Sequence, residues 1–249
     1  MAEWQDAELK AAQHPSTRRG KARRHSGKPL AGHERNPTTR YKTAEDCLEV
    51  RLIRCVAFDL DGVLIPSGPS FDYFLIEHKI TPAHFREFFR GSYDLAMLGK
   101  VDLLEILPPV LELWKWNGTV EDFVNVWFAS CAEADPAAVE IVRALRVRGV
   151  TCYAASNQDN RRAKFLDSLE WVHTLFDRRF YSCHLGVKKP SAGYFDVIQR
   201  EAAHLPEEML FVDDIVENVD GARECGWSAE LCGGASDLLK IMEKYFPDF

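Results

Sequence analysis

Apolar residues in this chain follow two patterns that alternate along its length. Short β-favouring runs occur at Val56-Ala57-Phe58, at residues 149–155, at Phe180-Tyr181-Ser182-Cys183 and at Met209-Leu210-Phe211-Val212. Three of them close on conspicuous polar residues: Asp59-Leu60-Asp61-Gly62, Ser156-Asn157 and Asp213-Asp214. Between the runs lie segments with helical spacing. Residues 136–148 begin at a proline and stop at Gly149, and 161–169 and 191–202 look similar. Strands alternating with helices predict an α/β fold built on a Rossmann-like, doubly wound parallel sheet. Chemistry in such sheets gathers beyond the carboxyl ends of the strands, where these polar residues fall.

Residues 67–134 break the alternation. Segments 71–79, 81–90, 101–116 (interrupted at Pro108-Pro109) and 119–131 all carry helical spacing. Thr81 before Pro82, and Thr119 before Glu121-Asp122, suit N-cap positions. A helical insertion after the first strand is expected to form a cap over the strand ends. Its many aromatics, among them Phe85, Phe88, Phe89, Trp114 and Trp127, recur at helical spacing and are assigned mostly to packing. Tyr93-Asp94 and Gly99-Lys100 fall in a loop-like break and are better placed to touch a ligand. The expected organisation is a core of 46–66 and 135–249 with a cap at 67–134.

Charge adds a third part. The formal net charge of −7 hides an uneven distribution: residues 10–42 hold ten bases against the single acid Glu34, so the rest of the chain carries −16. This stretch has few large apolar residues and contains Pro15, Pro29 and Pro37, so it cannot offset the entropy of ordering. Residues 1–45 are read as a disordered basic tail. It is either a solvated extension or an arm for nucleic acid or another anionic surface. No apolar stretch approaches the roughly 18–20 residues of a membrane span. The opening MAEWQDAELK lacks the apolar region of a secretory signal. Seven scattered cysteines with no C-x-x-C pair argue for reduced thiols in a cytoplasmic setting, against a disulfide scaffold or structural zinc.

The candidate chemistry lies at the strand ends. Asp59 and Asp61, one residue apart, can divide two tasks between them: attack on phosphorus or metal binding, and proton transfer. A calcium loop is excluded, since its third oxygen-bearing position would be Val63, but an ordinary Asp-Gly turn is not. Ser156 and Asn157 can donate to an anion's oxygens, and are equally common as helix caps. Lys188-Lys189-Pro190 can bring a cation towards the acids. Asp213 and Asp214 repel each other unless a cation is near, and paired carboxylates suit Mg²⁺.

Taken in order, these residues resemble the haloacid dehalogenase-like hydrolase superfamily, in its subgroup with a helical cap after the first motif. Phe58-Asp59-Leu60-Asp61-Gly62-Val63-Leu64 is similar to motif one, Ser156 to motif two, Gly186-Val187-Lys188-Lys189-Pro190 to motif three and Phe211-Val212-Asp213-Asp214 to motif four. Asn218, Gly221, Ala222 and Gly226-Trp227 extend the last, and the resemblance covers about residues 52–233. It implies that Asp59 is the nucleophile that forms an aspartyl-phosphate, and that Asp61 protonates the leaving alcohol and then activates water. Ser156, with Asn157, would hold a phosphoryl oxygen. Lys189, directly before the proline, would screen charge, with Lys188 left as the alternative. Mg²⁺ would be bound by Asp59, the Asp61 main-chain carbonyl and Asp213 or Asp214. Dehalogenases of the superfamily lack a carboxylate at the position of Asp61, so the resemblance points to phosphoryl transfer. The expected activity is a Mg²⁺-dependent phosphatase acting on a small phosphorylated metabolite, with Lys100 contacting a polar or anionic leaving group. A phosphomutase of the same fold, or a non-catalytic protein whose tail binds an anionic polymer, are the alternatives.

Overall fold

The computed structural model describes residues 52–66 and 75–249. The expected basic tail at 1–45, the first residues of the expected core at 46–51 and residues 67–74 of the expected cap lie outside them. Five strands form one sheet: β1 (Cys55–Phe58), β2 (Thr151–Ser156), β3 (Arg178–Tyr181), β4 (Met209–Asp213) and β5 (Ser228–Leu231). Their order is β3-β2-β1-β4-β5, and every pairing is parallel. β1 is the centre, with Phe58 opposite Ala154 on one side and Val212 on the other.

Both faces of the sheet are covered, which is why its strands read as continuous apolar runs. Along β1, Val56 and Phe58 enter one core cluster and Cys55 and Ala57 enter the other. The first is closed by α5 (Pro136–Val147) and α11 (Ala235–Tyr245), through Val142, Leu145, Leu238 and Met242. The second is closed by α9 (Ala192–Ala202) and α10 (Val216–Glu224), through Phe195, Ile198, Val219 and Ala222. Each of these side chains other than Ala222 contributes about 1.5–3 kcal/mol by leaving water.

Between β1 and β2 run α1 (Pro82–Arg90), α2 (Tyr93–Met97), α3 (Leu103–Leu113) and α4 (Val120–Ser130), followed by α5. Thr81 and Thr119 are N-caps as expected: the Thr81 hydroxyl accepts from the His84 N–H, and Thr119 and Asp122 form a reciprocal capping box. The aromatics of this insertion pack on one another, with Phe85 stacked on Trp114 at 5.3 Å and Tyr93 tilted against Trp127 at 6.0 Å. After β2 come α6 (Asn160–Asp167) and α7 (Glu170–Leu175), and α8 (Ser182–Leu185) follows β3.

Three local readings are corrected, and one strand was not expected. Helix α3 runs unbroken through Pro108 and Pro109. The two missing N–H donors weaken it, but Leu103, Leu107 and Leu111 are buried at four-residue spacing and Asp102 caps its start, which offsets the loss. Tyr93 and Asp94 open the short helix α2 rather than a loop, and Tyr93 is buried. The segment at 161–169 ends earlier, at Asp167, and α7 follows separately. Strand β5, Ser-Ala-Glu-Leu, has no β-branched residue to mark it and is set by pairing with β4.

Among the described residues no helix is long and apolar enough to cross a membrane, and all six cysteines are free thiols.

Candidate active site

The carboxyl ends of β1, β2 and β4 bring the expected residues together. Asp59 follows β1 directly, and its N–H still donates to the Val212 carbonyl at 2.9 Å, so its place is set by the sheet itself. One oxygen, Oδ1, accepts from the Leu60 N–H at 2.8 Å. The other, Oδ2, lies 3.0 Å from the Lys189 ammonium. Lys189 is buried and also donates to Asp213 Oδ2 at 2.6 Å. Lys189 is therefore the lysine that faces the acids. Lys188 instead pairs with Asp94 of α2.

Two features outside β1 hold Lys189 there. Asn157 donates to the Lys189 carbonyl at 3.1 Å and accepts from its N–H at 2.9 Å, so both ends of that amide fasten the Lys189 backbone to the end of β2. Gly221 in α10 lets the lysine loop approach, since a Cβ there would fall 2.5 Å from the Pro190 carbonyl oxygen.

Asp213 and Asp214 are not equivalent. Asp213 is fully committed: Oδ1 accepts from the Ile215 N–H at 2.8 Å and from Asn218 at 3.0 Å, and Oδ2 takes the lysine. Both Asp214 oxygens are buried without any hydrogen-bond partner. Its carboxylate lies over Gly62, whose φ of +89° suits only glycine and whose Cβ would fall 2.2 Å from Asp214 Oδ2.

Asp59, Asp213 and Asp214 offer ligand atoms all within 4.8 Å of one another. Three carboxylates against one ammonium leave a formal excess of two negative charges in a buried site. Burial, and then the charge of Asp213, push the Asp214 carboxyl up to about 7. Asp59 is also raised well above the ordinary carboxylate range, chiefly by burial, although Lys189 and a hydrogen bond from Ser156 pull it back. Lys189 is raised: burial opposes its charge, but Asp213 and Asp59 outweigh that. An orphaned buried carboxylate among all-oxygen donors fits a hard divalent cation such as Mg²⁺.

Asp61 turns towards the other side. It is half-buried, with Oδ2 accepting from Gln158 Nε2 at 2.7 Å and Oδ1 lying 3.3 Å from Arg162 Nη2. Ser156 is buried at the end of β2, and its hydroxyl accepts from the same Gln158 amide at 2.9 Å. Lys100 lies apart: it is exposed and makes no side-chain hydrogen bond or ion pair among the described residues.

Sequence reasoning passed over three residues here. Gln158 and Arg162 hold Asp61, while Asp159 caps α6 and accepts from the buried Tyr93 hydroxyl at 2.8 Å. Asp159 was legible as an N-cap just ahead of the helical segment. Arg162 lies on the buried side of α6 with Ala163 and Leu166, and an arginine on an apolar face was the available signal.

Comparison with known proteins agrees with this geometry. A family model for haloacid dehalogenase-like hydrolases matches residues 53–226. Bifunctional epoxide hydrolase 2 of Mus musculus is 25% identical over 213 residues, covering 77% of this chain and 38% of that protein. A sesquiterpene phosphatase of Aspergillus oryzae is 28% identical over 96 residues, covering 39% of this chain and 49% of the other. The chain thus spans less than half the length of these relatives. Among solved structures, a HAD family enzyme of Bacteroides thetaiotaomicron in its magnesium complex shares the fold at a TM-score of 0.63 and 20% identity, over 76% of this chain and 98% of that one. With most of its described length matched by the family model, and with a five-stranded parallel sheet carrying the motif residues at its strand ends, the chain belongs to the haloacid dehalogenase-like hydrolases.

Proposed function

We propose that this hydrolase is a Mg²⁺-dependent phosphatase that cleaves a small phosphomonoester, such as a sugar phosphate, through an aspartyl-phosphate. The observation that carries the reading is the pair Asp59 and Asp61. One carboxylate lies 3.0 Å from a buried ammonium, and a second, two residues on, has donors of its own. Displacing a halide needs only the first. A second carboxyl is required where the leaving oxygen must take up a proton. The A. oryzae relative, a phosphatase by name, supports the same reading.

In the first half-reaction an Asp59 oxygen bonds to phosphorus as the bond to the ester oxygen breaks. The electron pair of that bond goes to the ester oxygen, which takes the Asp61 proton and leaves as the alcohol. In the second, a water oxygen bonds to phosphorus and gives a proton to Asp61. The bond to Asp59 then breaks and its electron pair returns to the carboxylate, freeing phosphate. Lys189 screens the approach of one anion to another, and Ser156 holds a phosphoryl oxygen. Asp59, Asp214 and the Asp61 carbonyl are the residues that would hold Mg²⁺, with Asp213 anchoring Lys189 beside them. The bound ion supplies the positive charge that balances the two excess negative charges of the site against a dianionic substrate.

The helical insertion, with α2 tied to the core through Asp94 and Lys188, is read as the cap that selects the leaving group. Lys100, one of several exposed cations of the insertion, is the one assigned to an anionic substituent. The test is phosphate release from a broad panel of phosphomonoesters, with and without Mg²⁺, for the wild type and for Asp59→Asn. Release that needs both the ion and Asp59 is expected. A silent panel with a folded protein would overturn the reading.

A further inference from the structure

Asp61 is held by two groups that reach it from the far side of the site. Gln158 follows β2 and spans two acceptors, Asp61 Oδ2 at 2.7 Å and the Ser156 hydroxyl at 2.9 Å. Arg162 comes from the first turns of α6 and lies 3.3 Å from Asp61 Oδ1. Both side chains are buried, each residue being 3% exposed.

The guanidinium has further partners. Its Nη1 donates to the Phe128 carbonyl at 3.1 Å, and its Nη2 donates to the Cys131 carbonyl. These carbonyls lie in the last turn and at the C-cap of α4, where a helix runs short of intrahelical donors; that of Phe128 also accepts from the Cys131 N–H at 3.3 Å. The Phe128 and Phe165 rings flank the cation at 5.3 and 5.4 Å. One buried cation therefore touches the end of the helical insertion, the core helix α6 and the carboxyl of Asp61. A planar fork with five donors can span these directions at once, whereas an ammonium cannot.

We propose that Arg162, together with Gln158, is a positioning residue for Asp61, and that its hold on the Phe128 and Cys131 carbonyls makes the aim of that carboxyl depend on the insertion being seated on the core. This rests on the acid role given to Asp61 above. When the phosphorus–ester bond breaks, the electron pair moves to the leaving oxygen and the Asp61 proton must meet it there. A misaimed carboxyl leaves that oxygen to depart as an alkoxide. An alkyl phosphate, with a strongly basic leaving group, suffers from this. A nitrophenyl phosphate, whose phenolate is stable without a proton, suffers little.

The experiment measures kcat/KM over a series of alkyl and aryl phosphates for the wild type, Arg162→Lys, Gln158→Met, Asp61→Asn and the double variant Asp61→Asn/Arg162→Lys. This constant reports only the steps up to the first phosphoryl transfer, so slow hydrolysis of the aspartyl-phosphate does not enter it. Expected is a loss of about ten- to a hundredfold on alkyl phosphates for either single change at 162 or 158, and less than about threefold on 4-nitrophenyl phosphate. In the Asp61→Asn background the lysine change is expected to add nothing. A uniform loss across the series, or effects at 61 and 162 that simply multiply, would overturn the proposal.

Circular dichroism and a denaturation midpoint separate misfolding from mispositioning. Gln158→Met, which leaves the α4 carbonyls paired, carries the test if Arg162→Lys does not fold. A wild type inactive on every ester, or an Asp61→Asn variant impaired equally on all of them, would sink the phosphatase reading or the acid role instead. Crystal structures of the Arg162→Lys and Gln158→Met proteins then decide the positioning role. An Asp61 carboxylate displaced from its present place supports it, and one unmoved in both refutes it.

Discussion

Replacing Asp214 by Asn will stabilise the metal-free protein in mildly alkaline buffer and remove its stabilisation by Mg²⁺. Both oxygens of Asp214 are buried without partners, and burial followed by the charge of Asp213 raises the carboxyl from 3.8 to about 7. The folded protein therefore keeps this proton up to about pH 7, while the unfolded chain gives it up near 3.8. Between those values unfolding releases a proton, so stability falls as pH rises, and the penalty is complete above about pH 7. At about 1.4 kcal/mol for each pH unit, the gap amounts to about 4 kcal/mol. Asn removes the charge but buries an amide without partners, which gives back about 1–3 kcal/mol. The net gain expected at pH 8 is about 1–3 kcal/mol. Urea denaturation at pH 5 and pH 8, in EDTA and in excess Mg²⁺, measures it. The wild type in EDTA loses stability between the two pH values and the variant loses much less. Mg²⁺ raises the wild-type midpoint by mass action and leaves that of the variant in place. A metal-free wild type equally stable at both pH values, or a variant less stable than wild type at pH 8, would refute the reasoning.

Other substitutions probe the same framework. Lys189→Met leaves Asp59 and Asp213 without their shared cation and is expected to lower metal-free stability by about 3–5 kcal/mol, read from the urea midpoint at pH 7. Gly62→Ala forces a Cβ to within 2.2 Å of Asp214 Oδ2 at a φ of +89°, so calorimetry should show Mg²⁺ affinity reduced at least about tenfold. Thr119→Ala removes the hydroxyl that accepts from the Asp122 N–H at 3.0 Å, and thermal unfolding should show a loss of about 1 kcal/mol.

Much of the fold was legible because burial on both faces of a parallel sheet imposes a local pattern. Val56-Ala57-Phe58 and Met209 to Val212 are apolar at every position for that reason, and the helices between strands carry a single buried face. The readings that failed are those where distant contacts outweigh local preference. Pro108 and Pro109 argue for a break, yet Leu103, Leu107 and Leu111 are buried below them and the helix continues. Ser228 to Leu231 has no strand composition and pairs because β4 lies beside it. Lys188 and Lys189 are indistinguishable by residue type. Their environments separate them, one pairing with Asp94 of the insertion and the other lying between Asp59 and Asp213.

The sequence by itself determined the α/β class and set acids, a serine and a lysine pair at or near the strand ends. Each of these follows from neighbours within a few residues: a run of apolar side chains, then a polar turn. Tertiary structure alone decided how those groups divide the work. Asp213 and Asp214 are adjacent in the chain, but one is saturated by Lys189, Asn218 and the Ile215 N–H while the other is left without a donor. Asn157 fastens the Lys189 backbone, and Arg162 joins Asp61 to the end of the insertion. Such assignments depend on which donors come within hydrogen-bond reach of a buried oxygen, and the deciding ones, such as Lys189 for Asp213 and Arg162 for Asp61, come from segments tens of residues away.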